Sequence, residues 1–174
     1  KFLLITQNRL IFLRCKETEL MNRILTILLL FTTLTATSQW LDRNTAIRCG
    51  LMFVSGMADG TAETLRVNYS DFNAVFPNAN DRYWNPSVSW HNKWKNGDHT
   101  QGEKFLFSST ALVWTTDGYH QMRTIRNAAM ITAITIPIGK KKNWKGYVAE
   151  AGLSYLSYTL GFTLTWDLIF KHGK

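Results

Sequence analysis

Apolar and polar positions divide the chain into three long apolar-rich stretches set apart by polar ones. Residues 44–67, "NTAIRCGLMFVSGMADGTAETLRV", mix apolar and small side chains without proline. The pattern predicts a helix over 44–67, interrupted near Gly60, with Asn44 as its cap. Gly50 and Gly56 are poor helix formers, so their presence predicts close approach of a second helix. Residues 105–139 read as two helical pieces, about 106–118 and 121–137, the second ended by Pro137 and Gly139. Residues 146–170, "GYVAEAGLSYLSYTLGFTLTWDLIF", are the most hydrophobic long stretch. Ser154, Ser157, Gly161 and Thr165 recur there at helical spacing, a small-residue stripe suited to packing against another helix. A β-rich reading of "SYLSYTLGFTLTW" competes, because Tyr and Thr favour strands.

Between these stretches, residues 68–104 are rich in Asn, Asp, Pro and Gly, with Trp84, Trp90 and Trp94 interleaved. "NP" at 85–86 and "NGD" at 96–98 are turn signals. So many large rings argue against disorder. The expectation is an irregular, aromatic-pinned region with short helices, its Trp side chains forming an interfacial belt or a small aromatic core. A carbohydrate platform is the less favoured use of the same rings.

The first methionine is Met21, and "MNRILTILLLFTTLTATSQW" follows it. A basic Arg23, an apolar run over Ile24–Leu34, and small Ala36, Thr37 and Ser38 form the pattern of a secretory signal peptide. The run is short of the roughly 20 residues a spanning helix needs. The expectation is an upstream extension at 1–20 foreign to the native protein, a signal peptide at 21–38, and a single helical domain at 39–174. Of the two cysteines, Cys15 and Cys49, only Cys49 would remain after cleavage, as a small buried residue without a disulfide or metal motif.

Composition adds charge. Charged residues are 18% of the chain and the formal net charge is +8. Its densest cluster is Lys140, Lys141, Lys142 and Lys145. Flanked by apolar stretches, this is expected to be a solvated or membrane-surface turn, not a nucleic-acid site. The fold expected is mainly α: a small helical bundle with a Trp-rich irregular region at 68–104 and a C-terminal membrane helical hairpin over 121–170. Basic loops favour the cytoplasmic side, which would place 68–104 in the periplasm, with Arg123 and Arg126 near the outer face.

The segment 115–127, "TTDGYHQMRTIRN", sets charge between two apolar runs. Asp117 and His120 share a helix face, as do Asp59 and Glu63. Arg66, Arg123 and Arg126 are candidate charge partners. Three uses compete. Asp117, His120, Asp59 and Glu63 can ligate a divalent metal in a helical bundle. His120 can act as a general base oriented by Asp117, with a nucleophile from Ser108, Ser109 or Thr115. No G-x-S-x-G, H-E-x-x-H or phosphate-binding loop accompanies them. The favoured use is structural: a polar belt whose charged pairs fix the register of packed helices, with no cofactor.

The combination "YWNPSVSW", "NKWKNGD" and "STALVWTTDGYHQMRTIRNA" resembles a group of small, uncharacterised bacterial exported or membrane proteins over about residues 50–135. A second, fainter resemblance is to uncharacterised periplasmic proteins with a D-K-x-x-H element before an apolar helix: Asp117 and His120 stand here one residue closer together, and Gly118 takes the place of the basic residue. These resemblances imply export and supply no catalytic residue. The function expected is a non-enzymatic scaffold or accessory subunit of the envelope, at the inner membrane with periplasmic exposure. Its partners would be membrane lipid and other envelope proteins. The alternatives are a metal-dependent or acid–base hydrolase acting on lipid or envelope substrates, and a soluble periplasmic protein binding an apolar ligand.

Overall fold

The computed structural model describes residues 42–138 and 141–171. The upstream extension and signal peptide expected at 1–38, with Gly139 and Lys140, lie outside the described residues. Residues from Arg43 onward form a compact unit of their own. It holds six α-helices and no strand among the described residues: α1 Arg43–Val67, α2 Tyr69–Val75, α3 Asp81–Trp84, α4 Pro86–Ser89, α5 Gly118–Thr135 and α6 Trp144–Thr163. The chain is mainly helical, and the strand reading of 154–166 is overturned. A π-helical segment, Leu164–Ile169, continues α6.

Helix α1 is uninterrupted through Gly60 and begins at Arg43, so Asn44 lies inside its first turn. The Asn44 amide donates instead to the Pro137 carbonyl at 3.1 Å. Both α5 and α6 pack along α1, and not chiefly on each other. Cross-links fix the directions. Arg48 reaches Ala133 and Ile136, whereas Ser55 reaches Arg126, so α5 runs antiparallel to α1. Arg48 meets Glu150 and Asp59 meets Tyr158, so α6 runs parallel to α1. The hairpin expected over 121–170 is therefore two helices that both use α1 as their main packing partner. None of the described helices is long and apolar enough to cross a membrane.

Small residues allow these contacts. A Cβ added to Gly56 would fall 2.0 Å from the Tyr158 carbonyl oxygen, and one added to Gly161 would fall 2.1 Å from that of Phe53. Gly60 faces the Thr165 hydroxyl, which an added Cβ would approach to 2.0 Å. Ser157, Gly161 and Thr165 of the predicted stripe are buried, and Ser154 is half-buried. Gly50 departs from the expectation: a side chain there would meet open space.

The piece expected to be helical at 106–118 is a series of turns with a single 3-10 turn, Val113–Thr115. The Glu103 carboxylate accepts the backbone N–H groups of Phe107 at 3.0 Å and Ser109 at 3.2 Å. Ser108 Oγ donates to the Lys93 carbonyl at 2.7 Å. Side chains that bind backbone groups in this way compete with a helix, and Phe107 takes a left-handed φ of 62°. The region 68–104 is irregular with short helices, as expected. Asn85 caps α4 with Pro86 at its first position, the arrangement proline favours. Asn96 and Gly97 turn with φ of 51° and 76°.

Large apolar burial concentrates at one corner, where Leu65, Phe72 and Phe170 pack with Tyr69, Trp84, Tyr119, Met122 and Ile169. Full burial of each large apolar side chain contributes roughly 1.5–3 kcal/mol. Elsewhere the layer is inverted. Its interior is small or polar: Cys49, Ser55, Ala58, Ala129, Ala133 and Ser157, with charged Arg48 and Glu150. Its exterior carries Ile131, Ile134, Val148, Tyr155 and Leu156.

Candidate functional site

Three polar clusters, the first of them a helix cap, account for most of the polar chemistry between the long helices. At the start of α5, Asp117 is extended (φ −155°, ψ 156°) and caps the helix. Its carboxylate accepts the His120 backbone N–H at 2.8 Å, and His120 Nδ1 lies 2.8 Å from its other oxygen. Thr116 Oγ1 donates to the same carboxylate at 3.2 Å. Asp117 is buried, and the imidazole lies across the first turn of its own helix. The next position must be glycine, because a Cβ on Gly118 would fall 2.3 Å from the Trp84 indole. That contact explains why the chain has no basic side chain between Asp117 and His120. Loss of such a cap costs about 1 kcal/mol. Asp117→Ala is expected to lower the unfolding free energy measured by urea titration by that amount, and Asp117→Asn to restore most of it.

The second cluster lies midway along the layer. Arg126 Nη1 donates to Asp59 Oδ1 at 2.7 Å, and the Tyr158 hydroxyl donates to Oδ2. One carboxylate thus fastens α5 and α6 to α1. Burial, reinforced by the hydrogen bond to Asp59, pushes the Tyr158 phenol up to about 12. It therefore remains a donor throughout neutral pH.

The third cluster is the most enclosed. Glu150, on α6, receives Arg48 Nη1 at 3.1 Å on one oxygen, and Thr45 Oγ1 and Lys142 Nζ on the other. Arg48 spends its remaining donors on the last carbonyls of α5, Nε to Ala133 at 3.3 Å and Nη2 to Ile136 at 3.0 Å. Those carbonyls have no partner within their own helix. Burial raises the Glu150 carboxyl, but the hydrogen bonds from Lys142 and Thr45, with the charges of Lys142 and Arg48, outweigh it and hold it below the usual range. Every buried side-chain polar atom among the described residues has a partner.

The four residues considered as metal ligands separate into three places. Asp117 and His120 cap α5, Asp59 binds Arg126 and Tyr158, and Glu63 pairs with its neighbour Arg66 at 2.5 Å. Among the described residues no three His, Cys, Asp or Glu side chains group as metal ligands. The hydroxyls considered as nucleophiles are engaged in their own loop: Ser108 with Lys93, Ser109 with Glu103, Thr115 with Leu112. Arg123 donates to the Tyr119 hydroxyl at 3.0 Å and does not reach Asp117 in any hydrogen bond. Of the tryptophans, Trp84 turns inward to stack on Phe72, whereas Trp90 is exposed and Trp94 half-buried. In the basic turn, Lys141 and Lys145 face solvent, Lys145 lying over the exposed Trp144 ring at 5.8 Å. Lys142 turns inward to Glu150.

Arg48, Glu150 and Tyr158 were not among the candidates that the sequence singled out, and Lys142, expected in a solvated or membrane-surface turn, instead pairs with Glu150. The signal was present: a lone charge within an apolar helical stretch needs a partner, and Arg48 and Glu150 are such charges of opposite sign. The chain matches no protein-family model, no curated protein and no solved structure. Its reading rests on its own residues.

Proposed function

We propose that this is a non-enzymatic, membrane-associated protein of the bacterial envelope, a scaffold or accessory subunit whose outer helix faces lie in lipid. The observation that carries this reading is the inverted layer. Between Tyr147 and Leu160 the only charged residue, Glu150, points inward. The exposed residues of that span are uncharged, with Tyr155 68% and Leu156 56% accessible. Between Asn127 and Ile138, α5 and its extension carry no charge, and Ile134 is 74% accessible. In water such contiguous apolar area is unfavourable and marks a surface that something else covers. Polar groups turned inward and apolar groups turned outward are the arrangement expected where lipid is the solvent. Trp144, Lys141 and Lys145 would stand at the headgroup boundary, where an indole and lysine ammoniums are both favourable. In this arrangement α5 and α6 lie within one leaflet instead of crossing the bilayer. The polar clusters serve to fasten helices, which is the work of a scaffold.

Vesicle flotation tests the reading. The chain expressed from Met21 should float with phosphatidylethanolamine–phosphatidylglycerol vesicles, and mass spectrometry should find a mature N-terminus near Gln39. Val148→Lys with Leu156→Lys alters only exposed positions, so it should reduce flotation about tenfold with little change in melting temperature. Wild-type protein that stays at the bottom of the gradient would remove the lipid reading.

A further inference from the structure

At the opposite end of the layer from the basic turn, α1, α2, α3 and the π-helical segment line an open apolar cavity of about 660 Å³. Its volume lies within the range of small-molecule sites. The walls are aromatic and aliphatic: Phe72, Phe76, Trp84 and Phe170, with Met57 and Ile169. No charged side chain lines it. The two hydroxyls that do are already committed, Thr61 Oγ1 to the Met57 carbonyl at 2.9 Å and Thr165 Oγ1 to the Phe162 carbonyl at 3.0 Å. Besides the Trp84 indole N–H, the Asn78 amide is the remaining polar side-chain group of the lining, and Asn78 is exposed, so it belongs to the mouth. A ligand that required further buried polar partners would find none there.

One wall is irregular in a telling way. The Phe170 N–H bonds to the Thr165 carbonyl at 3.0 Å, five residues back. This wider turn carries Thr165, Ile169 and Phe170 in the wall. Such π-helical turns occur frequently at functional sites. The Trp84 ring is held by Phe72, 5.3 Å away between centroids, and by its seat on Gly118. The aromatic walls are therefore braced from behind, and the open side is left to a ligand.

We infer that this cavity binds the alkyl chain of a single-chain lipid, methylenes among the aromatic rings and the polar head outside near Asn78. It is a separate site from the lipid-facing surfaces of α5 and α6, at the other end of α1. Affinity should come almost wholly from apolar burial, and each further methylene inserted should tighten binding roughly fourfold until the cavity is full.

The probe is 9,10-dibromostearate, whose bromines quench tryptophan on contact, with Trp84 in the wall as reporter. Quenching of the full chain should saturate at one ligand per molecule and be reversed by unbrominated stearate. Unbrominated dodecanoate should compete much more weakly than stearate. Thr61→Phe and Ala79→Phe each place a ring in the cavity and should weaken binding at least tenfold with the melting temperature held within a few degrees. Should either variant fail to fold, the chain-length series on the wild type decides alone. The surface pair Val148→Lys and Leu156→Lys should leave this saturable quenching intact, which separates failure of this inference from failure of the flotation result. Quenching that never saturates, that ignores chain length, or that survives both cavity-filling substitutions in folded protein would overturn the inference.

Discussion

Gly161→Ala and Gly56→Ala are each expected to destabilise the protein by about 3 kcal/mol or to prevent folding. A single methyl has this effect because of what it meets. The added Cβ of residue 161 lies 2.1 Å from the Phe53 carbonyl oxygen and 3.0 Å from the Met57 nitrogen. The added Cβ of residue 56 lies 2.0 Å from the Tyr158 carbonyl oxygen and 2.9 Å from the Phe162 nitrogen. These are backbone atoms of the facing helix, so no side chain can rotate away and the helices must separate. Separation of α1 from α6 would also strain the Asp59–Tyr158 and Arg48–Glu150 contacts that cross the same interface. Gly50 and Gly152 supply the control. Both lie in helices with open space where a Cβ would be. Gly50→Ala and Gly152→Ala should therefore stabilise by up to about 1 kcal/mol through helix propensity. Chemical denaturation of the four variants checks this. Equal effects at all four positions would show that α1 and α6 do not approach as closely as described.

The same contrast shows what the sequence could and could not reveal. Helix α1 was legible because its apolar and small residues keep a helical period with no proline. The stripe ending at Gly161 and Thr165 was legible because small residues at three- and four-residue spacing have few other uses in an apolar stretch. Gly50 and Gly56 look alike in sequence, and only the partner's position separates them. The 106–118 segment misled for a different reason. "FLFSSTALVW" has helical composition, but the Glu103 carboxylate accepts the Phe107 and Ser109 N–H groups and Ser108 donates to the Lys93 carbonyl, which holds it in turns. The Ser108 bond reaches Lys93, fifteen residues earlier in the chain. Asp117 and His120 were rightly paired by spacing, but spacing alone does not distinguish a ligand pair from a cap. The extended backbone at Asp117 does. The charged cluster around Glu150 joins residues 45, 48 and 142 across the fold; each lone charge signals that it needs a partner, but no local pattern says which.

That cluster should give the second large effect. Glu150→Leu removes the carboxylate that balances Arg48 and Lys142, side chains 10% and 18% accessible. Breaking a buried pair from one side leaves an uncompensated charge and costs about 3–5 kcal/mol. Glu150→Leu combined with Arg48→Met and Lys142→Met should recover much of that loss, because the charges left behind, not the missing bonds, dominate the cost. Recovery should remain incomplete, since Arg48 also binds the Ala133 and Ile136 carbonyls that end α5. The pH dependence has a definite sign. The folded carboxyl titrates below its unfolded value, because the bonds from Lys142 and Thr45 and the charges of Lys142 and Arg48 outweigh burial. Its contribution is complete above the ordinary glutamate range near about 4.3 and is lost as pH falls through the lower folded value. Wild-type stability should therefore drop on acidification below that range. Glu150→Gln, which cannot titrate, should show a shallower drop in urea midpoints measured between neutral and acid pH. A midpoint that falls equally steeply in both proteins would mean that other carboxylates, not Glu150, carry the acid sensitivity.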